Sequence, residues 1–295
     1  MAGQPAAEHP IDAALARDLL AEQHPDLADL PITPAASGWD NAMFRLGEAL
    51  ALRLPRRAVA AELLATEQRW LPELAASLPL PIPAPVRVGR PGCGYPWGWS
   101  VTPWLAGEPA ERTPLNADQG EALGGFLRAL HREAPPEAPF NPYRSVDLRT
   151  RAAIATPQLE RLAAARPDLA TDALWRTWAE ALDAEVDLPP GWIHGDLHAR
   201  NVLSQAGTLS GVLDWGDMAR GDPAMDLYSL WMLLPDAGAR AAAIRTYGGL
   251  SKPTLSRARG WSVAMAAVML MDAAASDPAY GVMGERTLRA LKEGP

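Results

Sequence analysis

Trp192-Ile193-His194-Gly195-Asp196-Leu197-His198-Ala199-Arg200-Asn201-Val202-Leu203 is the stretch from which the rest of the chain can be read. Gly211-Val212-Leu213-Asp214-Trp215-Gly216-Asp217 follows it, and then Gly221-Asp222-Pro223-Ala224-Met225-Asp226-Leu227. Asp196 and Asn201 bracket a tight loop. Val202-Leu203 and residues 209–213 form a hairpin that turns at 205–208 and returns Asp214 beside Asn201. Two carboxylates and one amide oxygen then converge with no sulfur and no clear imidazole pair. Such hard oxygen donors suit Mg2+, which keeps waters and completes its octahedron with phosphate oxygens.

Outward from this segment the pattern separates two regions. Before it lies sheet: strands at 41–46 and 49–54 joined by a turn at Gly47-Glu48, then strands at 86–88 and 97–104. Helical spacing marks 11–23 and 58–78, with Pro72 expected to kink the second helix or divide it. After Leu105-Ala106-Gly107-Glu108-Pro109 the chain is mainly helical. Asn116 and Gln119 have capping-box spacing ahead of a helix lined by Leu123, Phe126, Leu127 and Leu130. Further helices fit 152–165, 170–186, 224–234, 237–247 and 262–275. The expected architecture is α+β, with a small antiparallel-sheet lobe over 1–104 and a mainly helical lobe over 105–295.

Composition narrows the function. The 295 residues carry 27 Lys+Arg against 35 Asp+Glu, a net charge of −8, and are 48% hydrophobic, so the chain is neither disordered nor short of core. That charge argues against a general nucleic-acid binder, which needs a basic face for the phosphates. Cys93 is the single cysteine, which excludes an internal disulfide framework and a cysteine-rich zinc site. Residues 1–10 lack a basic cluster followed by an apolar core. The most apolar late stretch, 261–275, is broken by Asp272 and falls short of the roughly 20 residues a membrane span needs. The expectation is a cytoplasmic protein without a membrane or nucleic-acid partner.

The spacing from Asp196 to Asn201, followed by Asp214, matches the catalytic loop and metal-binding aspartate of kinases. In combination with Asp214-Trp215-Gly216-Asp217 and Gly221-Asp222-Pro223-Ala224-Met225-Asp226-Leu227, it makes the chain resemble the aminoglycoside phosphotransferase family. That family has the bilobal protein-kinase-like fold and also holds macrolide and other small-molecule kinases. The resemblance runs from about Ser37 to Asp226. It implies transfer of the γ-phosphate of ATP or GTP, with Mg2+, to a hydroxyl of a small acceptor such as an aminoglycoside or macrolide, and so a link to antibiotic resistance.

The roles it implies fall on particular residues. Asp196 would accept or orient the proton of the acceptor hydroxyl, and Asn201 and Asp214 would hold Mg2+ on the phosphates. Asp226 would bond the backbone of the catalytic loop, and His194 would brace it. In the sheet lobe the family places a lysine on the third strand, paired with a helix glutamate. Here Arg53 stands in that place, keeping the charge with a different reach and shape. Glu67 is the expected partner and Glu62 the competitor. Ser37, in Ser37-Gly38-Trp39-Asp40-Asn41, sits where a phosphate loop belongs. Thr102 and Trp104, in Ser100-Val101-Thr102-Pro103-Trp104-Leu105, resemble the linker whose backbone bonds a nucleotide base.

Other readings of the same residues stay open. His194, Asp196 and His198 have the spacing of a transition-metal cluster in a hydrolase. A kinase-like binding module without turnover is the third reading, on Arg53 alone. His198 either bonds a backbone group or fills space. Asp217 is a second metal-shell or loop residue, and Asp222 a helix N-terminal group ahead of Pro223. Asp236, Asp272, Asp277 and Glu285 would line an acceptor cleft for a polyamine, or are ordinary surface acids. Val263 to Met271 would shape an apolar pocket, or is simply core. The sequence does not choose an oligomeric state.

Overall fold

A computed structural model describes residues 6–35 and 38–294, which form two compact units, one up to Ala106 and one from Gly107 onward. The first unit is built on an antiparallel sheet of β1 (Ile32–Pro34), β2 (Asn41–Leu46), β3 (Leu50–Pro55), β4 (Arg87–Gly89) and β5 (Trp99–Pro103), in the order β1-β2-β3-β5-β4. β3 is central and so is buried on both faces, as its apolar run demands. Leu52 and Leu54 point to a core shared with Phe44, Trp99 and Val101 and closed by Ala16, Leu19 and Leu20 of α1 (Ala13–Gln23). Arg53 lies on the other face, under α2 (Ala58–Ala75), as the period of two requires.

Pro72 does not divide α2. It falls in the helix's final turn, and the helix runs through it to Ala75.

The second unit begins with β6 (Glu108–Pro109) and then α3 (Gly120–Leu130), α4 (Leu148–Ala165) and α5 (Asp172–Asp183). β7 (Gly191–Ile193), β8 (Val202–Gln205), β9 (Thr208–Val212) and β10 (Ala219–Gly221) follow; β10 pairs with β7, and β6, β8 and β9 form a second small sheet. A 3-10 helix (Pro223–Tyr228) leads into α6 (Ser229–Leu233), α7 (Ala237–Tyr247), α8 (Lys252–Met271) and α9 (Pro278–Lys292). The β8–β9 hairpin turns on Ala206 (φ 51°) and Gly207 (φ 87°), the two positive-φ positions of a tight hairpin loop. α8 is the central helix, with Trp261, Val263, Ala264, Met265 and Met269 all buried, so the apolar run there is core.

Several elements depart from the expected pattern. Asn116 and Gln119 form no capping box. Asn116 Nδ2 donates to the Ala206 carbonyl (3.5 Å) and Gln119 Oε1 accepts from the Leu209 N–H (3.0 Å), so both hold the hairpin instead. α8 starts ten residues before the expected 262, at a cap in which Ser251 Oγ accepts from Thr254 N–H (3.0 Å) with Pro253 in the first turn. α9 escapes the sequence reading because Gly281 and Gly284 weaken its helical signal. Gly284 is there for packing, since a Cβ on it would lie 2.9 Å from the Ala266 carbonyl oxygen.

The same device joins α3 to α7. A Cβ on Gly120 would meet the Ala239 carbonyl oxygen at 2.2 Å, and one on Gly124 the Ala243 carbonyl oxygen at 2.3 Å. In an isolated helix Gly→Ala gains about 1 kcal/mol. Here the obstacle is backbone, which cannot swing aside, so overpacking decides the sign. Gly124→Ala is expected to destabilise the protein by about 1–3 kcal/mol, read as a lower urea midpoint; a midpoint at or above wild type would show that the helices separate easily.

Candidate active site

Asp226 organises the second unit's polar centre. Its carboxylate is fully buried and accepts from the backbone N–H of His194 (2.5 Å) and of Gly195 (2.8 Å), with His131 Nε2 3.4 Å away. The short 3-10 helix after Pro223 delivers it there, capped by Asp222, which accepts from Ala224 N–H (3.1 Å) and from the buried Arg257 (2.7 Å). Gly195 has φ 82°, and a Cβ on it would lie 2.7 Å from the Asp217 carbonyl oxygen. Glycine is therefore required at the point where the chain turns into Asp196.

His194 braces the loop with both ring nitrogens. Nδ1 accepts from Asp196 N–H (3.2 Å), which makes Nε2 the donor to the Leu213 carbonyl (2.9 Å). Its ring meets Trp215 edge-on at 4.7 Å. With both nitrogens occupied, His194 is not available as a metal ligand. Among the described residues no group of three His, Cys, Asp or Glu is placed to hold a metal ion.

Asn201 Nδ2 donates to the Asp196 carbonyl (2.9 Å) and lies 3.4 Å from its Oδ2. The Asn201 carbonyl accepts from Leu213 N–H (2.7 Å), so the hairpin does return Asp214 next to Asn201. Asp214 is exposed and sits at φ 56°, a left-handed conformation that Asp tolerates better than most residues. Because the amide nitrogen of Asn201 is spent on Asp196, Oδ1 is the atom it has to offer a cation.

Asp196 receives two cationic partners. His198 Nε2 is 3.3 Å from Oδ2, and Arg144 Nη2 donates to Oδ1 at 3.0 Å. Burial alone would raise this carboxyl, but the charges of His198 and Arg144, with the His198 hydrogen bond, hold it well below the usual carboxylate range. Burial pulls His198 down, and Asp196 and Asp214 more than offset it, so the imidazole is raised. The Asp196 side chain keeps 24% of its surface exposed and is therefore reachable by a ligand.

Arg144 also donates to Asp217 (3.2 Å), which Asn141 Nδ2 bonds at 2.9 Å. Asp217 thus ties the 141–144 segment to its own loop. Neither Arg144 nor Asn141 is legible from sequence. They lie in an aperiodic segment between α3 and α4, about fifty residues from Asp196, with no spacing that relates the two.

In the first unit Arg53 and Glu67 form a buried, two-pronged ion pair through Nη1–Oε2 and Nη2–Oε1 (3.1 Å), with side chains 8% and 4% exposed. Glu62, the competitor, instead offers its backbone carbonyl to Thr66 (3.1 Å). Thr102 is buried on β5 opposite Ala51. Trp104 donates its backbone N–H to the Ala49 carbonyl (2.8 Å), and its ring lies under Arg45 (4.3 Å). Ser37 lies outside the described residues.

The four acids considered for an acceptor cleft are all engaged. Asp236 caps α7 at Ala239 N–H (2.9 Å), Asp272 pairs with Arg161 (2.8 Å), Asp277 with Arg200 (2.6 Å), and Glu285 with Arg166 (3.1 Å) and Arg289 (2.6 Å).

Residues 31–261 match the model of a phosphotransferase enzyme family. Among curated proteins none matches this chain. Solved structures do. The GDP and kanamycin complex of APH(2")-IIIa is 20% identical, with a TM-score of 0.66 over 94% of this chain and 98% of that one. The macrolide 2'-phosphotransferase MphH from Brachybacterium faecium is 22% identical, with a TM-score of 0.58 over 95% and 98%. At such identities these likenesses speak for the fold, the mixed helix-and-sheet kinase-like one.

The Arg53–Glu67 pair sets a stability test. Removing one partner strands a buried charge, which costs about 3–5 kcal/mol, whereas apolar replacement of both is close to neutral. Glu67→Leu is expected to lower the urea-unfolding free energy by that amount, and Arg53→Met in the same chain to restore most of it. Additive losses in the double variant would mean the two side chains act independently.

Proposed function

This chain belongs to the phosphotransferase enzyme family, a family of small-molecule kinases, and we propose that it moves the γ-phosphate of ATP or GTP to a hydroxyl of a small organic acceptor, an aminoglycoside or macrolide antibiotic among the candidates. One observation carries this reading. The buried Asp226 carboxylate fixes the His194-Gly195 backbone, and with it sets Asp196 against Asn201, with Asp214 returned beside Asn201.

The donors on offer, an amide oxygen on Asn201 and the exposed carboxylate of Asp214, fit a hard divalent cation such as Mg2+ and no thiophilic metal. Bound there with the nucleotide, Mg2+ would neutralise charge on the phosphate oxygens. In the first unit Arg53, steadied by Glu67, would neutralise phosphate charge, with Ser37 among the phosphate-loop groups and Thr102 and Trp104 near the base.

Asp196 would accept a hydrogen bond from the acceptor hydroxyl and aim its oxygen at the γ-phosphorus. The new bond is acceptor oxygen to phosphorus; the bond broken joins that phosphorus to the bridging oxygen of the leaving diphosphate. Because Arg144 and His198 keep its proton affinity low, Asp196 orients the hydroxyl early and takes the proton only as that bond forms, when the hydroxyl has become acidic. Hydrolase chemistry at His194, Asp196 and His198 has no support in the geometry, because both ring nitrogens of His194 are already bonded.

Asp196→Asn keeps the shape of the loop and removes the acceptor oxygen's partner. It is expected to lower kcat about 100- to 10,000-fold while Mg2+–nucleotide affinity stays within about threefold, measured as phosphate transfer and by calorimetry. Wild-type turnover in this variant would remove Asp196 from the reaction.

A further inference from the structure

The segment ahead of α4, residues 139–145, is pinned to the loop of Asp196, yet it leaves two large aromatic side chains in water. Phe140 is 70% exposed and Tyr143 58%, whereas the other two phenylalanines, Phe44 and Phe126, are buried. The segment is a built turn. Asn141 Oδ1 accepts from the N–H of Tyr143 (2.9 Å) and Arg144 (3.2 Å), and Ser145 Oγ accepts from Asn141 N–H (3.0 Å). Asn141 Nδ2 anchors it to Asp217, and the Pro139 carbonyl accepts from Arg220 N–H (2.9 Å). From this turn Arg144 reaches Asp196 at 3.0 Å. Phe140 and Tyr143 therefore stand on a built support whose Arg144, next to Tyr143 in the chain, bonds the group that would meet the acceptor hydroxyl. Exposed aromatic rings held in place near a polar centre provide binding area at small entropic cost.

Charge around the loop points the same way. Three carboxylates near it that could anchor an ammonium group already hold guanidinium groups, and the exposed Asp214 is the one that would take Mg2+. Asp217 is on Arg144 (3.2 Å), while Glu111 (2.8 Å) and Asp277 (2.6 Å) share Arg200. Arg200 in turn lies over the Tyr280 ring (4.8 Å), whose other neighbour is His198 (5.8 Å). A polycation would have to break these pairs to be held; an uncharged ring system would not.

We propose that the 139–145 turn is part of the acceptor site, and that the acceptor is a hydroxylated molecule of low positive charge whose apolar or sugar-ring face rests on Phe140 and Tyr143. This rests on the kinase reading above and narrows its acceptor.

The test uses the full chain with Mg2+ and ATP or GTP, a macrolide carrying one amine, and kanamycin as polycation. Wild type is expected to phosphorylate the macrolide with the higher kcat/KM. The double variant Phe140→Ser, Tyr143→Ser is expected to raise the macrolide KM about tenfold or more with unchanged nucleotide affinity and melting temperature. Ile154→Ser, which removes another exposed apolar side chain, on α4, is expected to leave that KM alone. An unchanged KM in the double variant, a preference for kanamycin, or nucleotide binding with no transfer to the macrolide overturns this inference. Failure of wild type to bind Mg2+–nucleotide at all strikes instead at the phosphotransferase reading.

Discussion

One buried carboxylate carries the second unit's chemistry. Asp226 is fully buried, and its carboxylate accepts from two backbone N–H groups that a loop would otherwise leave unsatisfied. The exchange runs in both directions. The loop gains fixed geometry at His194-Gly195, and the acid gains the donors without which its burial would be prohibitive. His194, Gly195 and Asn201 then each constrain Asp196 from a different side, so its position is over-determined rather than resting on any single contact.

Arginine does in this protein much of what lysine does elsewhere. It stands on the central strand with Glu67, bridges Asp196 to Asp217, ties Glu111 to Asp277, and holds Asp222 with Asp187 under α8. A planar fork grips two carboxylate oxygens or two separate acids at once, which a point charge cannot do. The net charge of −8 is thus a poor guide to the local field, because near Asp196 the acids and guanidinium groups are interleaved.

What the sequence made legible was local and periodic. β2 and α7 were expected over the residues they occupy, and the His194-to-Asp226 string stood out by fixed spacings along one folded-back segment. Glu67 was distinguishable from Glu62 only in part, since both lie on α2 and only the register over β3 puts one beneath Arg53. Arg144 and Asn141 were out of reach for a different reason: each is defined by partners distant in sequence. The contact of Asn116 and Gln119 with the hairpin shows the same limit, a local motif overruled by a neighbour that sequence spacing does not reveal.

The glycine seam between α3 and α7 has a consequence for how this chain can vary. Two backbones in direct contact at Gly120 and Gly124 fix rotational phase as well as separation. A single residue inserted between the glycines would turn the second by about 100° off the contact line and present a side chain where only hydrogen fits. Homologous chains can therefore differ freely in the identity of α3's outward residues while keeping the spacing of its inward ones, and gains or losses of length should collect in the connections on either side.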